Sequence, residues 1–417
     1  MISYNKSKII LKKSTIKLGE ELINTNKCLN RVTSKNIYVH SYYPSENNAA
    51  FDGYAIKSED THKLNKKIQK KFRIIGSIAA GNKPIKKKIR KFQTVEIMTG
   101  ALIPKTFDTI IPIEQINFYP NKKDAKYIIL DKKIPKFEHV RFKGSDYKKG
   151  DLLISQGTIL QSNHILALKT LGIKKIKVKK KPNILFFSTG NEITNKDKIS
   201  DWEVRNSNCH YINSLNQNFL FNFKDGGILK DKQSNLFKLH INRMLKSKID
   251  LIITSGAVSA GKFDFVPSVV NNFKLSNYFK SVAIRPGKPV LFAKIKGKQK
   301  AIFGLPGNPI SSAACFRFFV YPYLRNLLGI KEETSFKATL KNEFIKKKNF
   351  TRFVKSKLST TKNGKLEVQI LKGQESFRIK SFIQSNIWVL LPSGKEKFKK
   401  GEIVDCFFPN QSNKIFL

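Results

Sequence analysis

Three apolar runs in this chain end in small residues, and their exits are where chemistry would be expected. They are Asn183-Ile-Leu-Phe-Phe-Ser-Thr-Gly-Asn-Glu192, Asp250-Leu-Ile-Ile-Thr-Ser-Gly-Ala-Val-Ser-Ala-Gly-Lys-Phe-Asp264 and Ala301-Ile-Phe-Gly-Leu-Pro-Gly-Asn-Pro-Ile-Ser311. Each run reads as a buried strand, and glycine at its end lets backbone N–H groups come close to a ligand. Such exits suit an anion, so function is expected at residues 188–192, 255–264 and 304–309. Between the last two lies Arg285-Pro-Gly-Lys-Pro289, which offers two cations on a rigid turn.

Elements must hold these exits in place. The stretch 208–219 is amphipathic and reads as the helix after the first strand, and the run around 311–328 reads as a long apolar helix. Strands alternating with helices predict an α/β layer over 177–329, with ligands at the carboxyl ends of its strands. Upstream, residues 1–40 carry helical spacing through Leu18, Leu22, Ile23, Leu29 and Val32. Short strands separated by Gly, Pro and Asn fill 41–139 as a β-rich module, and 140–176 leads into the α/β layer. Beyond Gly329 the pattern returns to strands, predicting a small all-β module over 330–417.

Composition bounds the function classes. A chain of 417 residues with 40% hydrophobic content can build several cores. It has no apolar run of about 18 residues, as a membrane-spanning helix would need. Charge interrupts the first residues before a secretory segment can form, so the expected compartment is the cytosol. Cys28, Cys209, Cys315 and Cys406 are scattered and lack the close pairing of a zinc site. The net charge of +49 is almost all Lys, accompanied by abundant Asn, Ile and Phe. Compositional drift accounts for that better than selected nucleic-acid binding, in which Arg would be favoured.

Seven motifs, in order, resemble the MoeA-type molybdopterin molybdenumtransferases, whose animal relative is the gephyrin E domain. They are Phe51-Asp-Gly-Tyr-Ala55, Ile97-Met-Thr-Gly-Ala101, Gly144-Ser-Asp146, Ser188-Thr-Gly-Asn-Glu192, Thr254-Ser-Gly-Ala-Val-Ser-Ala-Gly261, Pro286-Gly-Lys-Pro289 and Gly304-Leu-Pro-Gly-Asn-Pro-Ile-Ser311. The resemblance implies a multidomain α/β-plus-β fold: a central three-layer αβα domain similar to MogA, a flanking β-rich module, and a C-terminal domain like a small β-barrel. Residues 1–40 and 140–176 would together form an elongated linker domain. It also implies insertion of molybdate into adenylated molybdopterin, with AMP as product and Mg2+ as cofactor. An elongated homodimer is expected, in which the β-rich module of one subunit approaches the α/β domain of the other, and a molybdopterin adenylyltransferase is a possible partner.

On that reading Asp52, Thr99, Asp146, Glu192, Asp231 and Asp264 are the candidates for catalysis, with Asp264 and Glu192 as ligands of Mg2+, a hard cation that takes oxygen donors. Asp231 reads nearly as well as the cap of a helix over 233–245. Ser188, Thr189, Gly190, Ser255, Gly256, Ser259, Gly304, Pro306, Gly307, Asn308 and Pro309 would bind the substrate, through backbone donors at Ser255-Gly256 and Gly304–Gly307. Arg285, Lys288, Arg352 and Ser381 would take molybdate. The chain departs from the family pattern at Asn206, where Asp is usual, at Ala257 for Gly, and at Lys262 for an acidic residue. Two competing readings are a molybdopterin adenylyltransferase and a basic scaffold that has lost catalysis.

Overall fold

The computed structural model describes residues 1–83, 85, 88–216, 220–259, 261 and 264–409. Its contacts divide the chain into two compact units, one of Asn36–Ser155 with Ala167–Ile173, the other of Met1–Lys35, Gln156–Leu166 and Lys174–Leu417.

The smaller unit is built on a six-stranded sheet, in the spatial order Thr109–Pro112, Gly53–Ile56, Gln93–Ile97, Lys70–Ile78, Tyr127–Leu130, Asn117–Tyr119. Side chains alternate across it: Ala55, Val95 and Ile110 pack into one apolar cluster, Tyr54, Ile56 and Ile111 into another. The sheet is therefore covered on both faces. Gly53 opens the second of these strands under tight constraint, because a Cβ there would lie 2.0 Å from the Ile111 carbonyl oxygen.

In the larger unit the α/β sheet runs Asn222–Leu229, Asn183–Thr189, Leu251–Ser255, Ala301–Leu305, Leu291–Ile295, Leu275–Phe279. The first four strands are parallel, Leu291–Ile295 runs antiparallel to them, and Leu275–Phe279 runs antiparallel to Leu291–Ile295. Ile184, Phe186, Leu251, Ile253 and Phe303 point to a face covered by helices Ser207–Leu215 and Pro309–Cys315; Phe187, Ile252 and Ile302 point to one covered by Ser234–Leu245 and Phe265–Asn271. This is the three-layer αβα arrangement expected. From Asn183–Thr189 the chain passes to one side of the sheet and then returns to the other, so its topological switch lies between Asn183–Thr189 and Leu251–Ser255.

Beyond it, Thr351–Thr360, Leu366–Ile370, Phe336–Leu340, Ile403–Phe407 and Ile387–Leu391 close into a five-stranded barrel, the last pairing back with the first. Phe336–Leu340, which the sequence pattern did not single out, completes the ring. Ile284–Arg285 joins the outside of the barrel in parallel with Thr351 and Arg352.

Two local readings change. The stripe from Leu18 to Val32 is not a helix: Glu20–Asn24 is a strand paired with Lys175–Lys179, and Leu22 and Leu29 are exposed. Cross-strand hydrogen bonding wins there over a helical period. The helix of this region is Tyr4–Lys13, which buries Tyr4, Ser7 and Leu11. The helix expected over 208–219 is seen as Ser207–Leu215; positions 217–219 lie outside the described residues. The long helix after Asn308 passes through π geometry at Phe316–Val320, just before Pro322, whose missing N–H interrupts the α pattern.

Candidate functional site

Three parallel strands end side by side and their exits interlock. The Asn183–Thr189 strand leaves through Gly190 at φ +137°, and Leu251–Ser255 through Gly256 at φ +102°. Thr189 Oγ1 donates to the Ser255 carbonyl at 3.1 Å, and Ser255 Oγ donates to the Pro306 carbonyl at 3.2 Å. Asn208, from the first turn of its helix, donates through Nδ2 to both Ser255 Oγ and the Gly307 carbonyl, each at 2.7 Å. Ser188 Oγ donates to Asn206 Oδ1. Every exit is thus tied to the next.

These turns border a cavity of about 580 Å³ at the topological switch. Ser188, Thr189, Gly190, Ser255, Gly256, Ser259, Pro306, Gly307, Asn308 and Pro309 line it, as do the carboxylate-bearing Glu192, Asp231 and Asp264. Gly304 does not. It lies within its strand, between Thr254 and Leu291, and a Cβ there would come within 2.6 Å of Val258 Cγ1. Its small size serves packing. The expected backbone donors change as well, because the Gly256 amide donates to the Leu305 carbonyl at 2.9 Å and the Gly190 amide to the Leu229 carbonyl at 3.1 Å. These glycines allow close approach of backbone rather than supplying an anion-binding N–H.

Gly256 has no room for a larger residue, since a Cβ would stand 2.4 Å from the Thr189 carbonyl oxygen. We expect Gly256→Ala to lower the unfolding free energy by about 1–3 kcal/mol through strain at a sparsely populated backbone conformation. Urea unfolding checks this; an unchanged midpoint would mean that the turn relaxes without cost.

The three acidic residues are held differently. Asp264 is half-buried, and its Oδ2 accepts from the Gly261 amide at 2.8 Å. It precedes helix Phe265–Asn271 without capping it through its side chain. Asp231 does not cap the next helix either: Gln233 occupies that position, and the Asp231 amide donates to Asn191 Oδ1 at 3.1 Å. The Glu192 carboxylate folds over its own turn, so that a Cβ on Gly190 would lie 2.5 Å from Glu192 Oε2. Lys230 Nζ secures that turn by donating to the carbonyls of Asn191 at 2.9 Å and Ile193 at 2.8 Å. In so lysine-rich a chain, Lys230 carried no distinguishing sequence signal. Asn206 and Asn208 stood in the motif that departs from the family pattern, but nothing local indicated the groups they bond.

Oxygen-only donors at the carboxylates suit a hard divalent cation. Among the described residues no cluster of three His, Cys, Asp or Glu side chains is assembled to hold a metal. A Mg2+ ion here would therefore take further ligands from water and substrate, as Mg2+ commonly does. Lys262, the departure beside Asp264, lies outside the described residues.

The remaining expected residues do not line this cavity. Asp52, Thr99 and Asp146 are exposed in the smaller unit. The Asp52 carboxylate accepts from the Thr99 amide at 2.7 Å and its hydroxyl at 2.8 Å, which holds its pKa below the ordinary carboxylate value. Arg285 and Lys288 are exposed, and Arg285 pairs in register with Arg352. Arg352 lines a second cavity of about 420 Å³ in the barrel region. Burial first, and the Arg285 charge second, lower the pKa of its guanidinium. Ser381 is buried; its hydroxyl donates to the Gly373 carbonyl at 2.6 Å, so its proton serves the loop.

Comparison with known proteins places this geometry. Residues 2–172 match the family model for the MoeA N-terminal region (domain I and II), 186–326 one described as "Probable molybdopterin binding domain", and 337–407 that for the MoeA C-terminal region (domain IV). A molybdopterin molybdenumtransferase of Staphylococcus epidermidis is 31% identical over 395 residues, covering 94% of this chain and 91% of the relative. The chain belongs to the molybdopterin molybdenumtransferase family. One from Staphylococcus aureus is 31% identical over 384 residues, covering 91% of this chain and 88% of the relative. A molybdopterin biosynthesis MoeA protein from Pyrococcus horikosii superposes with a TM-score of 0.82 at 27% identity, over 98% of this chain and 99% of that one. In this molybdopterin molybdenumtransferase family member, the cavity at the switch point lies within the region matched to the molybdopterin-binding model.

Proposed function

We infer that this chain inserts molybdenum into molybdopterin, taking an adenylated pterin and molybdate and releasing AMP and the molybdenum cofactor. The observation that carries this reading is the cavity at the α/β switch point, bordered by three interlocked exits and supplied with Glu192, Asp231 and Asp264. The family membership of the whole chain supports it. Adenylation of the pterin, the competing enzymatic reading, is not favoured, because the likeness extends over the β-rich module and the barrel as well as the α/β layer.

In this mechanism the exits position the substrate and the carboxylates orient its charged linkage. Asp264 and Glu192 would hold Mg2+, which when bound neutralises charge building on the phosphoryl oxygens. Asp264 is kept in place by the Gly261 amide, and Glu192 by the turn that Lys230 secures. Arg285, Lys288 and Arg352 would attract molybdate, a tetrahedral dianion suited to cationic donors. The protein thus contributes positioning and charge neutralisation rather than a covalent nucleophile. We further propose a homodimer receiving its substrate from a molybdopterin adenylyltransferase; sedimentation equilibrium distinguishes dimer from monomer. Placement in the cytoplasm is part of the same proposal, and no described helix is long and apolar enough to cross a membrane.

The reaction is tested by AMP release from adenylated molybdopterin. Release is expected only when molybdate and Mg2+ are both present; release without molybdate, or none from folded protein with the adenylate bound, would refute the assignment.

A further inference from the structure

Lys355 lies in the Thr351–Thr360 barrel strand and is 1% exposed, with no carboxylate among the described residues bonded to it. Burying an ammonium group is costly unless its donors are satisfied. Here they are met by three carbonyls of one loop: Nζ donates to Gly373 at 2.7 Å, Arg378 at 3.0 Å and Glu375 at 3.2 Å. The same loop is fixed to the strand a second time. The Lys355 amide donates to Gln374 Oε1 at 3.0 Å, and Gln374 Nε2 donates back to the Lys355 carbonyl at 2.8 Å.

The loop has two outer faces. Gly373, Gln374 and Glu375 line the cavity that also contains Arg352. Ser376 reaches the α/β layer, where its carbonyl accepts from the Ile310 amide at 3.2 Å and its Oγ accepts from Asn308 Nδ2 at 3.0 Å. Asn308 borders the cavity at the switch point. A single buried cation therefore sits behind a loop that touches the walls of both cavities.

We propose that Lys355 is a positioning residue for the transferase reaction: by gathering the 373–378 loop it holds Asn308 in the substrate cavity and sets the wall of the Arg352 cavity. The inference rests on the functional reading above for its kinetic consequence, though not for its structural one. No other side chain in the loop's attachment supplies three donors from one point. Methionine would fill much of the volume but leave three carbonyls without those donors.

Titration gives a further handle. Burial lowers the Lys355 pKa from 10.5 to about 8, with Glu375 opposing the shift and Arg352 and Arg378 adding to it. Between about pH 8 and 10.5 the folded chain sheds this proton while the unfolded chain keeps it, so stability from this group rises with pH. Over the same interval the amine has two N–H donors for three carbonyls. Loop positioning and stability then move in opposite directions, which a purely structural role would not produce.

The test compares Lys355→Met, Ser376→Ala and the double variant of the full chain. Two readouts are used: molybdate-dependent kcat/KM, and hydrogen exchange in the peptide spanning 304–312. We expect each single variant to lower kcat/KM roughly ten-fold, the scale on which small misplacements of a site act. The double variant should be no worse than the more impaired single, because both changes cut one chain of contacts. Exchange at 304–312 should rise in all three. Wild-type kcat/KM is expected to fall above pH 8, and that fall should be absent in Lys355→Met. Additive losses, or wild-type exchange in Ser376→Ala, would overturn the proposal. Ser376→Ala leaves the buried ammonium in place and carries the test if Lys355→Met does not fold. Exchange reads the loop without turnover, so a failed reaction assignment is distinguishable from a failed positioning role.

Discussion

Asp264→Asn is expected to lower molybdate-dependent AMP release by about 10²–10³-fold, the scale on which removing a preorganised electrostatic contact from an active site acts. The substitution keeps an oxygen that can accept from the Gly261 amide, which donates to the carboxylate at 2.8 Å. It removes the negative charge from the cavity wall. The turn should therefore persist while affinity for a divalent cation falls. Thermal unfolding should be unchanged within about 0.5 kcal/mol, the usual range away from packing defects. Raising Mg2+ should recover part of the rate. Wild-type turnover in this variant would remove Asp264 from the mechanism.

The second large effect concerns the seam between the α/β layer and the barrel. Arg317 is 3% exposed, and its Nη2 donates to both carboxylate oxygens of Glu333 at 2.8 Å while its Nε donates to the Phe408 carbonyl at 2.6 Å. Its guanidinium lies 5.0 Å from the centre of the Tyr321 ring and 5.6 Å from that of Phe407. Beside it Phe318 stacks on Phe353 of the barrel at 3.9 Å. Arg317→Met would leave Glu333 and a backbone carbonyl without their partner. We expect a loss of about 3 kcal/mol in urea unfolding, since breaking one side of a buried ion pair strands the other charge. A loss below about 1 kcal/mol would mean that Glu333 simply turns to solvent.

Much of this architecture was legible because strand and helix periods are local. Apolar residues running through 184–187, 251–253 and 301–303 announced strands buried on both faces, and the structure divides them between two helical layers. The motif Phe51-Asp-Gly-Tyr-Ala55 was legible as one of the family's, and Gly53 proves to be the residue that the Ile111 carbonyl permits. The stripe at Leu18–Val32 misled because a short segment can satisfy either period. Its choice was settled by Lys175–Lys179, more than a hundred residues away, which offers a free strand edge.

The candidate site divides in the same way. By itself the sequence determined the family, the order of the motifs and the residue types at each exit, because those depend on neighbours along the chain. Tertiary structure decided which of those residues share a cavity. Strand order brings Ser188, Ser255 and Pro306 together, gathers Glu192, Asp231 and Asp264 around them, and places Gly304 inside the sheet. It also decided that the Gly190 and Gly256 amides are occupied, and that Lys230 and Lys355 are spent on carbonyl groups rather than on solvent. Among so many lysines no pattern marks Lys230 and Lys355. A hydrogen bond depends on positions in space to within a fraction of an ångström, and those positions exist only once distant strands have paired.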